Sequence, residues 1–273
     1  MSSSLESTER WFHSLIAQPQ PQLTRRRLVL LSGGLAALGS SGSTMAGAQT
    51  LATPPFADQL SGDEDAVSLL REAAAAMAAL DSFRFEIETV RGQSAIFQGL
   101  SVELIAGAVR RPLDFTATVS VSLPFGALDV TAVGLDGAAW VQDPLTEGEW
   151  IALEGGENIV ALINPDTLIL ASIGLIQDAT IDGAERVDGV ETTVIAGVVN
   201  FFETAGQLGG DEVMLPTEMT AEPLPVLLWI DADKRLLEIE VLGPILTSES
   251  DDVIRVIRFF DFNEPIEIER PDL

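Results

Sequence analysis

Residues 113–121 read Leu-Asp-Phe-Thr-Ala-Thr-Val-Ser-Val: Leu113, Phe115, Ala117, Val119 and Val121 alternate without a break with Asp114, Thr116, Thr118 and Ser120. Successive side chains of a strand point to opposite faces, so this period of two predicts a strand with one dry face and one wet face. A dry face must be covered, and the flanking sequence supplies partners of the same kind. Downstream, Asp136-Gly137 is a two-residue hairpin signal that pairs Leu135 with Ala138 and Val133 with Trp140. The face opposite that pair then gathers Leu128, Val130, Ala132, Ala139 and Val141, all apolar. Upstream, Phe83, Phe85 and Ile87 alternate with Arg84, Glu86 and Glu88. Strand patterns resume at 180–185, 190–200, 226–230, 235–242 and 253–262, with turns at Asp188-Gly189 and at 231–234.

Two segments have helical spacing instead. Ser61 and Glu64 form a capping-box pattern ahead of an alanine-rich stretch, 65–80, in which Leu69, Leu70, Ala73, Met77 and Leu80 share one face. Asn164-Pro165-Asp166 reads as an N-cap with proline at the first helical position, opening an apolar helix through Leu168, Ile169, Ile173 and Ile176. The expected fold is therefore α+β: one strongly bent antiparallel sheet with a few helices on one side.

The N-terminal region reads differently. Arg25, Arg26 and Arg27 stand directly before a modest apolar stretch, 28–38, which Gly33 and Gly34 interrupt and which is too short to span a bilayer stably. Small residues follow, ending in Ala46-Gly47-Ala48. This is the pattern of a twin-arginine signal peptide over 1–48, cleaved after Ala48, with an uncleaved anchor as the alternative. Residues 49–62, with Pro54 and Pro55, read as a linker, and 63–273 as a single domain. The protein is thus expected outside the cytoplasm, in the envelope or secreted.

Composition narrows the chemistry. The formal net charge is −27. The signal carries Arg10, Arg25, Arg26 and Arg27 against Glu6 and Glu9, so the exported body is more acidic than the whole chain. Such a body has no basic surface with which to track phosphates, which excludes nucleic acid as a partner. The chain has no cysteine, and its one histidine, His13, lies in the signal. Disulfides, thiol nucleophiles, thiolate metal sites and thioether lipid anchors are ruled out, and no catalytic residue, cofactor or metal is assigned.

The acidic clusters at 63–65, 211–212 and 249–252 lack the spacing of a calcium loop and read as solvated loops, while Asp231 and Asp233 read as turn residues. Trp140, Trp150 and Trp229 read as core or rim packing in preference to sugar stacking. The dry faces themselves are the candidate site. Phe115, Ala117, Val119, Val121, Leu128, Val130 and Ala132 form one wall, closed by Leu168, Ile169 and Ile173 and extended by Leu237, Ile239 and Val241. Periodicity alone fits a filled core and a hollow one alike. Arg110 and Arg111, before Pro112, are the candidate contacts for an anionic head group.

Resemblance favours the hollow reading. Six segments occur in order along the chain: LLREAAAAMAALDSFRF (69–85), DPLTEGEW (143–150), NPDTL (164–168), ERVDGVETT (185–193), WIDADKRLLEIEV (229–241) and FDFNEPIEIERP (260–271). Together they resemble the LppX, LprA, LprF and LprG family of envelope lipoproteins. The resemblance implies a bent antiparallel half-barrel like that of the LolA and LolB carriers, with helices on its concave side around a hydrophobic cavity. It further implies that acyl lipids or glycolipids are the partners, with transient membrane or envelope contact and no catalysis. This sequence departs from the family in lacking a lipobox cysteine at the mature N-terminus. The alternatives are a sensor or protein-interaction domain on the same fold and, more remotely, an extracytoplasmic enzyme using carboxylates.

Overall fold

Helix α1 (Glu64–Ala78) precedes a first run of strands: β1 (Ser82–Arg91), β2 (Ala95–Phe97), β3 (Leu100–Arg110), β4 (Asp114–Leu123), β5 (Gly126–Leu135), β6 (Ala138–Gln142) and β7 (Trp150–Ala152). A second run holds β8 (Gln177–Val187), β9 (Val190–Val199), β10 (Leu224–Asp231), β11 (Leu236–Leu242) and β12 (Ile254–Phe260). The structure is a computed structural model and describes residues 59–97, 100–112, 114–123, 126–142, 148–153, 173–204 and 219–272.

These strands form one antiparallel sheet in the order β7-β6-β5-β4-β3-β1-β12-β11-β10-β9-β8, with β2 pairing off that path to β3. Most neighbours are close in sequence, as antiparallel strands joined by short turns can be. The exception is β1 with β12, which splices the beginning of one run to the end of the other. Register then carries a row of branched aliphatic side chains straight across the sheet. Val130, Val119, Ile105 and Ile87 continue through Ile257, Ile239, Leu228 and Ile195, each opposite the next. The hairpin at 136–137 has the expected pairing, Leu135 with Ala138 and Val133 with Trp140.

Aromatic rings on this face need room, and glycines opposite them provide it. A Cβ at Gly107 would stand 2.3 Å from the Thr116 carbonyl oxygen and 2.8 Å from Phe85 Cζ, and one at Gly134 would stand 2.3 Å from Phe115 Cε1. Both rings occupy space over a neighbouring strand that is open because the glycine there has no side chain. Together the row and the rings define the inner face of a bent half-barrel, and α1 packs on that side. Its buried stripe of Ala66, Val67, Leu70, Ala73, Ala74 and Met77 joins Phe83, Phe85, Ile230, Leu236 and Phe259 in one core. The three alanines of this stripe let the helix approach the sheet closely. On the outer face, residues 261–272 run without regular structure over the first run of strands, where Ile266 and Ile268 cover Ala108, Val133 and Trp140. Asn263 and Glu264 secure this segment through Ser82 and the Asp81 amide.

Several expectations need correction. The Ser61–Glu64 capping box does not form: Asp63 is the N-cap residue, without a side-chain bond. Ser61 is instead committed to the start of β8. Its amide donates to the Ile176 carbonyl, its carbonyl accepts from Ala179 N–H, and its hydroxyl accepts from Asp178 N–H. Residues 60–62 therefore belong to the fold and not to a linker. Leu60 is buried, and Gly62, at φ 136°, bridges Ala179 so closely that a Cβ would meet the Ala179 backbone at 2.2 Å. Strand β3 was not anticipated, because Leu104-Ile105-Ala106-Gly107-Ala108-Val109 is apolar on both faces and has no alternation to read. The start of the helix expected from Asn164 lies outside the described residues, as does Leu113.

Gly107→Ala places a methyl group against backbone that cannot swing aside. It is expected to destabilise the fold by about 1–3 kcal/mol, the usual range for overpacking. A thermal melt measures this, and an unchanged melting temperature would mean that Phe85 does not rest on β3 as described.

Candidate functional site: an apolar cavity on the inner face

The inner face is only partly filled. Beyond the ground taken by α1, the sheet encloses a cavity of about 600 Å³, within the range of roughly 300–1,000 Å³ common for small-molecule sites. Its floor is the register row already described, with Ile87, Ile105, Val119, Leu228, Ile239 and Ile257 side by side. Phe85 and Phe115 bound it where the α1-filled core begins, and Ile173, Ile176 and Phe201 approach from the segments that follow β7 and β9.

Seven of the residues singled out from the sequence meet here: Phe115, Ala117, Val119, Ala132, Ile173, Ile239 and Val241. Val121, Leu128 and Val130 share their face by register, Val121 opposite Leu128 and Val119 opposite Val130, but stand outside the cavity lining. Leu237 is displaced for a different reason. The β10–β11 register jumps between Trp229 and Ile230, so that Glu238 and Leu236 are paired and Leu237 is the extra residue of a bulge. Leu236 is buried in the core in its place. Leu168 and Ile169 lie outside the described residues.

Neither arginine singled out as a head-group contact lines the cavity. Arg110 points to the outer face, where it pairs with Asp114 at 2.9 Å and donates to the Ile266 carbonyl at 3.3 Å. Arg111 donates to the Leu80 carbonyl and stands 5.8 Å from the centre of the Phe83 ring. The tryptophans also serve structure. Trp140 packs beneath the C-terminal segment with Arg270 over its ring, and Trp229 Nε1 donates to Glu185 at 3.0 Å.

One group of lining residues escaped the sequence reading. At the end of the cavity away from α1, Thr89, Ser94, Glu249 and Arg255 interrupt the hydrocarbon wall. Glu249 is buried, although its acidic neighbours suggest a solvated loop. It receives Arg255 Nη2 and Ser94 Oγ on Oε1, and the amides of Ile245 and Leu246 on Oε2. The available signal was Arg255 itself, a charge at an inward position of an otherwise alternating strand, opposite Thr89.

A bent antiparallel sheet that wraps a helix and an apolar hollow defines a half-barrel. A profile described as LppX_LprAFG lipoprotein matches residues 65–268, and the chain belongs to this family. It is 27% identical over 170 residues to the lipoarabinomannan carrier protein LprG of Mycobacterium tuberculosis, and equally to that of Mycobacterium bovis. Each match takes in 61% of this chain and 66% of the relative, just under two thirds of the relative's length. Among solved structures, LprF from Mycobacterium bovis superposes with a TM-score of 0.53 at 16% identity, covering 77% of this chain and 99% of that one. LppX from Mycobacterium tuberculosis gives 0.51 at 17%, covering 76% and 100%. These likenesses show the fold.

The outer face across β1, β12 and β11 is polar. Arg258 bridges Glu88 at 3.0 Å and Glu238 at 3.1 Å, and the hydrogen bond to Glu88 is the main reason its charged form is favoured. Glu240 has no such partner among the described residues. Partial burial, then the charges of Glu238 and Glu185, raise its pKa above the usual 4.5. The folded protein therefore holds this proton more tightly than the unfolded chain, and stability falls as pH rises through the window above 4.5. Glu240→Gln is expected to raise the melting temperature near neutral pH and to lose that advantage once the medium is acidic enough to protonate the wild-type carboxyl in both states. Melting curves across pH check this, and a variant equally stabilised in acid would contradict the electrostatic cause.

Proposed function

We propose that this protein is an exported, non-catalytic carrier that shelters the acyl chains of a lipid or glycolipid in the cavity of its half-barrel. The carrying observation is the hydrocarbon-lined hollow of about 600 Å³ where a domain of this size would ordinarily pack side chains. Membership of a lipoprotein family and similarity to relatives named lipoarabinomannan carrier proteins support the reading. They also support a place outside the cytoplasm. The arginine-led segment at 25–38 supplies the export route in this account, which assigns no thioether anchor because residues 1–273 hold no cysteine.

The mechanism is partitioning. Each methylene moved from water contributes about 0.8 kcal/mol, so a chain of about sixteen carbons gains roughly 12 kcal/mol gross before the cost of ordering it. No covalent step is needed. Release follows from transient contact with a membrane, which offers the chain an equally dry environment.

Val119 tests this directly, because it lies mid-strand in β4 and closes the lining row of the floor, beside Ile105. In a filled core, Val119→Trp would overpack and cost about 1–3 kcal/mol. In a hollow, the indole enters the space a ligand would use. The variant is expected to keep most of its thermal stability while losing binding of a fluorescent acyl probe that the wild type retains. A large fall in melting temperature, together with a wild type that binds no probe, would overturn the carrier reading.

A further inference from the structure

Arg255 and Glu249 are an expensive pair to place at the wall of an oily cavity. Their side chains are 9% and 1% exposed, and a buried ion pair adds little to stability compared with apolar residues of similar volume. The arrangement is also lopsided. Glu249 has both oxygens fully engaged, by Arg255, Ser94 and the amides of Ile245 and Leu246. Arg255 does not: of five N–H donors, Nη2 serves Glu249 and Ser94, and Nη1 serves the Gly243 carbonyl at 3.4 Å. Nε–H and one Nη1–H have no acceptor among the described residues. No enclosed side-chain nitrogen or oxygen there lacks a partner, so Nε borders accessible space, and Arg255 lines the cavity.

We propose that Arg255, held in place by Glu249 and Ser94, is the specificity-determining contact of the cavity and receives the uncharged carbonyl oxygen of an acyl ester. This rests on the carrier reading above. Charge balance selects the group. Glu249 already neutralises the guanidinium, and a second carboxylate would stand beside the first in a chain of net charge −27. A neutral carbonyl oxygen takes one or both spare N–H donors without that repulsion. Register places the chain that follows it: Val241 lies opposite Arg255, and Ile257 and Ile239 lie one inward step further along. The hydrocarbon then runs over the aliphatic floor towards Phe85.

Three fluorescent probes with the same hydrocarbon separate the possibilities: pyrenedodecanoic acid, its methyl ester and dodecylpyrene. They are titrated against the purified exported protein and its Arg255→Met/Glu249→Gln variant, which removes both charges and keeps an acceptor for the Ile245 and Leu246 amides. Ester affinity is expected to fall about tenfold in the variant, the scale of one well-made hydrogen bond, while dodecylpyrene affinity stays within about twofold. Should the double variant not refold, Arg255→Lys retains the charge but loses the planar set of donors. It is expected to weaken the ester by about threefold or more with the alkyl probe unmoved. Equal losses for ester and alkyl probes, or no loss for either, would overturn the role of Arg255. Tighter wild-type binding of the free acid than of the ester would overturn the choice of an uncharged group. A wild type that binds none of the three would instead sink the carrier reading, and this assignment with it.

Discussion

The pairing of β1 with β12 governs this structure. It is the one junction between two runs of strands that are otherwise assembled from near neighbours, and its register decides what faces inward on both sides. With Phe85 opposite Phe259 and Ile87 opposite Ile257, the aliphatic positions of the first run align with those of the second. A slip of one residue would turn Glu86 and Glu88 toward the helix and cavity and send the isoleucines to solvent. The edge-to-face contact of Phe83 with Phe259, 6.0 Å between centroids, ties the same junction to the core beneath α1. Closing this long-range pair early costs chain entropy, which the adjoining aromatic and aliphatic burial offsets only once both runs are in place.

The same junction divides the inner face into two regions. Near Phe83 the alanine-rich stripe of α1 fits tightly against the sheet, and the space is filled. Near Thr89 and Arg255, beyond the reach of α1, the aliphatic row floors an open hollow. Packing and vacancy thus follow from one strand pair read from opposite ends. The polar cluster at the far end belongs to the second region, so the cavity has direction: rings and aliphatic side chains at one end, hydrogen-bond donors at the other.

Much of the architecture was legible wherever alternation was strict. Residues 114–121, the 136–137 hairpin and the run around 236–241 each announced their faces, and of the seven named apolar positions that line the cavity six are placed there by strand register. What stayed hidden has physical causes. β3 lies at the centre of the sheet with apolar residues on both faces, so it carries no period of two. Leu237 lost its place to a bulge, a backbone irregularity with no residue signature here. Arg110 and Arg111 stand out as adjacent charges, but their partners are Asp114, the Leu80 carbonyl between α1 and β1, and the C-terminal segment. Glu249 looked like one more acid in an acidic loop, and only the fold brings Arg255 and Ser94 to it.

The central claim is that the hollow exists to be occupied by an acyl chain. The most direct measurement is organic extraction and mass spectrometry of the protein purified from its own envelope or culture medium, with lipid quantified against protein. The account predicts an ester-linked acyl lipid at close to one per chain, depleted when Val119 is replaced by tryptophan. Protein that is repeatedly free of lipid after gentle purification, and that takes up none when lipid is supplied, would contradict it.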